Sequence, residues 1–286
     1  GPIFIKQLTG YVDSWTQNAL RYTVACLFWL PVLLYLMRAG KFDRRTWRLA
    51  LLPFAVNIGM QSLWAMTFYY ISPAFATLLT KTSVLWVTAF SLMFFVDERP
   101  LARSRLFWVG LALSMMGLCG VLCFKPDFTA VHSFRGIAIA LVYAIVWGAY
   151  AVCVKVRLKD VDSRCAFAVI SLYTTVMLWM AAILFGRPAQ AASLDVSAWT
   201  AVVVSAITAI ALGHVLFYTA IKRIGATIPS LVILAQPFVV FSISRVVFDE
   251  RLTLPQLVFG VLLLVGAGLS VRAQGDLKPA SKGLPA

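Results

Sequence analysis

Acidic residues are scarce in this chain, and none lies inside a long apolar run. Only 11 of the 286 residues are Asp or Glu, charged residues of both signs make up 13%, and hydrophobic residues make up 61%. A water-soluble domain of this length could not carry so much apolar surface without aggregating. The composition therefore excludes a soluble globular protein and indicates an integral membrane protein.

Motifs of catalysis and nucleotide binding are also missing. The sequence has no Gly-x-x-x-x-Gly-Lys-Ser/Thr phosphate loop, no His-Glu-x-x-His and no Gly-x-Ser-x-Gly. Cys119 and Cys123 share a helix face, but without His or carboxylate nearby we expect buried packing rather than a metal site. We predict a protein that is not an enzyme and has no cofactor or metal.

Nine apolar runs reach the roughly 20 residues that a transmembrane helix needs. They do not alternate apolar and polar residues, which excludes barrel strands. Residues 1 to 8 are apolar but short, so we interpret them as the second half of a truncated first helix, and residues 273 to 286 as a disordered tail. The runs cover residues 14 to 37, 48 to 70, 73 to 96, 104 to 124, 134 to 154, 165 to 185, 197 to 219, 226 to 248 and 254 to 272.

The positive charge of the chain is distributed unevenly between its loops. If the first helix begins in the cytoplasm and ten helices follow, 17 of the 25 Lys and Arg residues fall on the inward side and 6 on the outward side. Cytoplasmic loops of membrane proteins carry this excess. We therefore expect a multi-pass protein of the cell inner membrane with both termini cytoplasmic. The net charge of +14 then needs no nucleic-acid partner.

Short segments of the chain recur in the same order about 150 residues later. Such an interval spans five helices, and because five is odd the second copy must cross the membrane in the opposite direction. We therefore predict an all-α ten-helix bundle of two inverted repeats, residues 1–124 and 134–272, which is a transporter architecture. The recurring pairs are Val12-Asp13-Ser14 and Val161-Asp162-Ser163, Phe68-Tyr69 and Phe217-Tyr218, Ala76-Thr77 and Ala226-Thr227, and Asp97-Glu98-Arg99 and Asp249-Glu250-Arg251.

Four features, two of which also take part in the repeat, give the chain a family resemblance. They are Leu20-Arg21-Tyr22, Ala76-Thr77-Leu78-Leu79, Gln236-Pro237-Phe238 and the two Asp-Glu-Arg triplets, where the family usually has Gly-Glu-Arg. With them the chain resembles EamA-type members of the drug/metabolite transporter superfamily. The resemblance implies a ten-helix carrier of small organic metabolites, often an exporter, with a central cavity. It does not supply the substrate.

Lys81 lies inside an otherwise uncharged run, residues 73 to 96. A lysine at a helix centre costs roughly 2.5–3.5 kcal/mol on insertion scales, and no acid in the run offsets this cost. The functional interpretation is a cavity-facing amine that binds a carboxylate or phosphate. The alternative is a side chain that extends to the outer interface. Thr77 and Thr88 extend a polar stripe with Lys81, which favours the cavity.

Other polar and aromatic residues recur at helical spacing. The amides Asn57 and Gln61 of the third helix either line the cavity or form structural hydrogen bonds, and both interpretations stay open. The aromatic triplet of the sixth helix, Tyr143, Trp147 and Tyr150, either contacts substrate or packs against other helices, and both stay open as well. Arg21 is interpreted as structural, and the two Asp-Glu-Arg triplets as loop hydrogen-bonding elements. The remaining candidate binding residues are Asn57, Gln61, Trp64, Tyr143, Trp147, Tyr150, His214, Tyr218 and Gln236.

Together these observations predict a secondary carrier that works by alternating access. The leading substrate is a small zwitterion or anion such as an amino acid, moved outward. Without an acid in any span, a carboxylate-coupled transporter of organic cations is disfavoured. The alternatives are an intramembrane enzyme and a non-transporting scaffold or channel. We expect a small-molecule substrate and the lipid bilayer as partners, and the oligomeric state is left open between monomer and homodimer.

Overall fold

A computed structural model describes residues 1–94, 102–124, 131–224 and 236–276, together with Arg99 and Ile233. These residues form α-helices, with a 3-10 turn at Pro188–Ser193 and a π-helical segment at Ala206–Leu212. The α-helices are α1 (Pro2–Leu8), α2 (Ser14–Arg38), α3 (Arg45–Leu49), α4 (Leu51–Thr67), α5 (Pro73–Thr80), α6 (Ser83–Phe94), α7 (Arg105–Cys123), α8 (Val131–Arg157), α9 (Ser163–Phe185), α10 (Val196–Ser205), α11 (Gly213–Ile224), α12 (Gln236–Phe248) and α13 (Leu254–Asp276).

The predicted fold class is confirmed: the protein is an all-α membrane protein. Each predicted apolar run contains helix. Several limits differ from the prediction, including those of the second run and of the tail. The run from 48 to 70 is divided into α3 and the 17-residue α4. The last helix continues to Asp276, so the first residues of the predicted tail are helical and the rest lie outside the described residues. Within the described residues, six helical stretches are long and apolar enough to cross a membrane, namely Ser14–Arg38, Pro73–Phe94, Phe134–Arg157, Ser163–Phe185, Val196–Ala220 and Leu254–Ala273.

Large apolar side chains cover the outside of the helix bundle. Leu27, Ile183 and Val246 are 59%, 69% and 85% exposed. Cys119 and Cys123 are also exposed, so the prediction that they are buried is wrong: the helix face that they share points away from the bundle. Exposed apolar surface on this scale fits contact with lipid rather than with water.

The repeated Val-Asp-Ser triplets begin equivalent helices. Asp13 accepts hydrogen bonds from the backbone of Trp15 and Thr16 at the start of α2, and Asp162 does the same for Arg164 and Cys165 at the start of α9. Burial raises the pKa of the Asp13 carboxyl, but hydrogen bonds from Thr16, Arg187 and Trp15 outweigh it and hold this pKa below its ordinary value. The sequence repeat is therefore explained in part by helix capping.

The main helix contacts are symmetric: when each helix is replaced by the equivalent helix of the other repeat, the same contact is found. Helix α7 packs on α13, α2 on α9 and α5 on α12, and each of these pairs joins equivalent helices of the two repeats. The contact of α4 with α8 likewise has its counterpart in the contact of α1 with α10. The interface between the repeats therefore runs through the whole bundle, as expected for two similar halves related by a pseudo-twofold axis.

Glycines bring α7 and α13 into backbone contact. A Cβ atom added at Gly117 would lie 2.4 Å from the Leu263 nitrogen, and one at Gly266 would lie 2.4 Å from the Ser114 nitrogen. The Ser114 hydroxyl donates to the Leu263 carbonyl oxygen at 3.3 Å. Small residues that allow close backbone approach are typical of tight helix contacts in membranes.

Candidate functional site

A cavity of about 620 Å³ lies between the two repeats. Its volume falls within the roughly 300–1,000 Å³ range of small-molecule sites. Both repeats contribute to its wall, which is lined by Gly1, Pro2, Arg21, Gln61, Trp64, Thr80, Lys81, Ser83, Tyr143, Trp147, Ala209, Ile210, Gly213, His214, Phe217, Ile233, Gln236 and Val239.

The cavity lies at mid-span rather than at a helix end. Tyr143 is near the middle of α8, Lys81 lies between α5 and α6, and Ala209 lies in the π-helical segment between α10 and α11. In transporters built from inverted repeats, substrate sites are found near the bilayer midplane at the repeat interface. The cavity likewise lies at the interface between the repeats.

Lys81 faces the cavity, and its amine bonds to the opposite repeat. The Nζ atom donates to Oε1 of Gln236 at 2.6 Å, and the residue is only 6% exposed. This geometry contradicts the alternative in which the side chain extends to the outer interface. Gln236 begins α12, so the bond joins the fourth helix of one repeat to the fourth of the other.

The helix that carries Lys81 is interrupted at this residue. The N–H groups of Lys81 and Thr82 donate three residues back, to Leu78 and Leu79, and α6 begins only at Ser83. A short stretch of such bonds within a helix often marks a functional hinge. The apolar run gave no sign of this interruption.

The π-helical segment Ala206–Leu212 is a second irregularity on the cavity wall. It leads into His214, whose Nδ1 atom lies 3.0 Å from the Ile210 carbonyl oxygen. Because a carbonyl only accepts, Nδ1 carries the proton and Nε2 is left as an acceptor, 3.5 Å from Nε2 of Gln61. Segments of π-helix occur frequently at functional sites.

Aromatic rings form one side of the cavity. The rings of Trp64 and Tyr143 are stacked, with centroids 4.8 Å apart, and Trp147 lies 6.0 Å from Phe217. All four residues line the cavity. Such a wall can pack against the apolar body of a ligand and leaves its polar groups to other residues.

Four predicted binding residues do not line the cavity, because their polar groups bond within the protein. Asn57 donates to the Tyr22 and Thr174 hydroxyls at 3.2 and 3.0 Å and so connects α4, α2 and α9. The Thr77 hydroxyl donates to the backbone of its own helix. Tyr150 and Tyr218 bond to each other through their hydroxyls. The Thr88 side chain lies outside the described part of the structure. The predicted residues that do line the cavity are Lys81, Gln61, Trp64, Tyr143, Trp147, His214 and Gln236.

Arg21, interpreted from the sequence as structural, lines the same cavity. It is 1% exposed, and its Nε atom donates to the Ser205 hydroxyl at 2.9 Å. Sequence reasoning also missed Ser83 and Phe217. The absence of acids from the spans was a signal for Arg21, since it leaves this cation without a carboxylate partner.

The second Asp-Glu-Arg triplet caps a helix of the first repeat. Glu250 accepts from the Ser72 hydroxyl and from the backbone N–H groups of Ala74 and Phe75, at 3.1 and 3.3 Å. These donors lie at the start of α5, the helix that leads to Lys81. Glu250 therefore acts through hydrogen bonding, as predicted, although between repeats rather than within one loop. Asp97 and Glu98 of the first triplet lie outside the described residues.

Comparison with protein families identifies this architecture. The EamA-like transporter family matches residues 1–123 and 134–272. The chain belongs to this family. One solved structure, described as "Crystal structure of protein", is similar to this EamA-like chain with a TM-score of 0.65 and 20% sequence identity, over 94% of each chain. At that identity the likeness shows the fold alone. No curated protein matches the sequence.

Proposed function

We propose that this EamA-like protein is a secondary carrier that moves a small organic metabolite by alternating access. The observation that supports this most strongly is the mid-span cavity whose wall is shared by the two repeats. Two similar bundles of opposite orientation can exchange conformations, so a site at their interface faces first one side and then the other.

Two further observations support a cavity that changes shape. The helix interruption at Lys81 and the π-helical segment Ala206–Leu212 both lie on its wall. Irregular helices at such positions are typical of substrate sites in transporters. Lys81 and Gln236 also join the two repeats through a single hydrogen bond, which a bound substrate can replace.

The substrate in this proposal carries a carboxylate or another acidic group that binds Lys81, as an amino acid or a similar zwitterion or anion does. The aromatic wall around Trp64 and Tyr143 receives its apolar part. The proposed direction is export from the cytoplasm, across the cell inner membrane, with both chain termini cytoplasmic. No ATP hydrolysis by the chain is involved.

Solute counterflow in proteoliposomes tests the proposal, because only a carrier exchanges labelled solute against unlabelled solute. Candidate anions and zwitterions are first selected by thermal shift. Lys81→Ala is expected to abolish exchange of the selected solute, while Lys81→Arg retains part of it through its charge. Unchanged affinity and rate in Lys81→Ala would show that Lys81 does not bind substrate. Absence of counterflow for every solute would favour a scaffold, a channel or an enzyme.

A further inference from the structure

Arg21 is a second cation on the cavity wall, and part of its guanidinium is unsatisfied. The side chain is 1% exposed, and Nε is bonded to Ser205. Its terminal nitrogen NH1 is buried without a hydrogen-bond partner among the described residues. An arginine remains protonated in proteins, so this group is a charged donor that lacks an acceptor. Buried donors of this kind are costly and rarely left unpaired.

The described wall of the cavity holds no acid that could neutralise the two cations. The residues that line the cavity include no Asp or Glu. The sequence contains no acid between Asp43 and Asp97 or between Asp195 and Asp249, so residues 225 to 235, which are not described, cannot supply one. Lys81 is bonded to a neutral amide oxygen. Buried charges are normally paired, which points to a counter-charge brought by a ligand.

The two cations belong to different parts of the wall. Arg21 projects from α2 next to Ser205 at the end of α10, whereas Lys81 projects from the end of α5 next to Gln236 of α12. Trp64, Tyr143 and Phe217 belong to the same wall. Both cations and these rings therefore border the same space of about 620 Å³, in which a ligand with two acidic groups and an apolar body would meet all of them.

We infer that the cavity binds a small organic dianion, with one acidic group at Lys81 and the second at Arg21. This rests on the proposed transport function, and it narrows the proposed substrate from zwitterions and anions in general to dianions. A monoanion would leave one buried cation without a counter-charge. A zwitterion would bring an ammonium group into a cavity whose described wall has two cations and no carboxylate. Both are therefore weaker ligands than a dianion of the same size.

Three four-carbon acids separate these classes: succinate has two carboxylates, butyrate has one, and 4-aminobutyrate has one carboxylate and one ammonium. Affinities are measured by thermal shift and calorimetry on the purified protein, at equal ionic strength. Succinate is expected to bind at least about tenfold more tightly than butyrate, because it satisfies both buried cations. 4-Aminobutyrate is expected to bind most weakly.

Substitutions of Arg21 test whether this residue binds the second acidic group. Arg21→Gln is expected to lower succinate affinity to that of butyrate and to leave butyrate affinity unchanged. Arg21→Lys is expected to keep part of the preference, since it keeps the charge. If Arg21→Gln does not fold, Lys81→Gln serves instead, because loss of either cation removes the preference. Arg245→Gln is the matched control, since Arg245 is exposed in the last turn of α12 and should retain the full preference.

The inference is overturned if succinate and butyrate give no difference, if 4-aminobutyrate binds more tightly than succinate, or if Arg21→Gln keeps the preference for succinate. Solute counterflow separates this failure from failure of the transport proposal. Exchange of a zwitterion without any preference for dianions would overturn the substrate class and leave the carrier in place. No exchange of any solute would contradict transport itself.

Discussion

The contact between α7 and α13 and the cavity around Lys81 are two parts of one interface between the repeats, built in opposite ways. At the first, glycines bring the two backbones together, so that even a methyl group at Gly117 would clash. At the second, polar and aromatic side chains surround a space of about 620 Å³. A single repeat interface thus contains both a close backbone contact and an open space lined by side chains.

The close contact and the cavity also differ in how regular their helices are. Helix α7 runs from Arg105 to Cys123 and α13 from Leu254 to Asp276, each without interruption. The cavity wall, in contrast, includes the interruption at Lys81 and the π-helical segment Ala206–Leu212. Close-packed helices move as one body, whereas interrupted helices have alternative hydrogen bonds available. We therefore expect α7 and α13 to stay together while the cavity changes shape.

The largest expected effect comes from Gly117→Leu at the close contact. The new side chain must displace the backbone of α13, so we expect a loss of more than about 3 kcal/mol of stability and little monodisperse protein. Gly59→Leu is the matched control, since a Cβ atom at Gly59 meets nothing within 4 Å. The yield and the thermal denaturation of both variants in detergent are the measurements. Equal stability of the two variants would disprove the close contact.

Two amides on α4, Asn57 and Gln61, are expected to differ in their contribution to stability, with a smaller effect than that of Gly117→Leu. Asn57→Leu leaves the Tyr22 and Thr174 hydroxyls without their amide partner, which should cost about 1–3 kcal/mol of stability. Gln61→Leu changes an amide on the cavity wall, so it should alter transport and cost less stability. Thermal denaturation and counterflow of the two variants test this. The reverse order of stabilities would show that Gln61 is the structural amide.

Glu250→Gln is expected to have the smallest effect on stability, about 0.3–1 kcal/mol. The substitution removes the negative charge at the start of α5 and keeps one side-chain oxygen, which can still accept from Ser72 and Phe75, whereas Ala74 donates to the other oxygen and loses that acceptor. A shift of only a few degrees in the thermal transition is therefore expected. A loss as large as that of Gly117→Leu would mean that Glu250 holds the repeats together.

Much of the fold could be predicted from the sequence, because apolar runs and capping residues act locally. The limits of the long helices follow the runs, and the Val-Asp-Ser repeat coincides with two caps. The π-helical segment could not be predicted: its sequence, AITAIAL, is an ordinary apolar stretch. Such irregularities depend on how neighbouring helices pack, which a single sequence does not contain.

The candidate site can be predicted from the sequence only in part, because some of its signals are local and others come from neighbouring helices. Lys81 stands out because a charge in an apolar run costs free energy of membrane insertion whichever way the side chain points. Asn57 and Gln61 are one helical turn apart and looked equivalent. Only the neighbouring helices decide that the first bonds to Tyr22 and Thr174 while the second faces the cavity. The sequence alone does not place Arg21 on the cavity wall, because its surroundings come from α10, far away in sequence.

We expect the cavity to alternate while the contact of α7 with α13 stays closed, and cysteine accessibility measures this. Ser83 lines the cavity, and Ser114 is buried against α13. Each is replaced by Cys in protein whose five native cysteines have been substituted, and a membrane-impermeant maleimide is added to either side of proteoliposomes. We predict labelling of Ser83→Cys from both sides and of Ser114→Cys from neither. Labelling of Ser83→Cys from one side only, or equally fast labelling of Ser114→Cys, would contradict the claim.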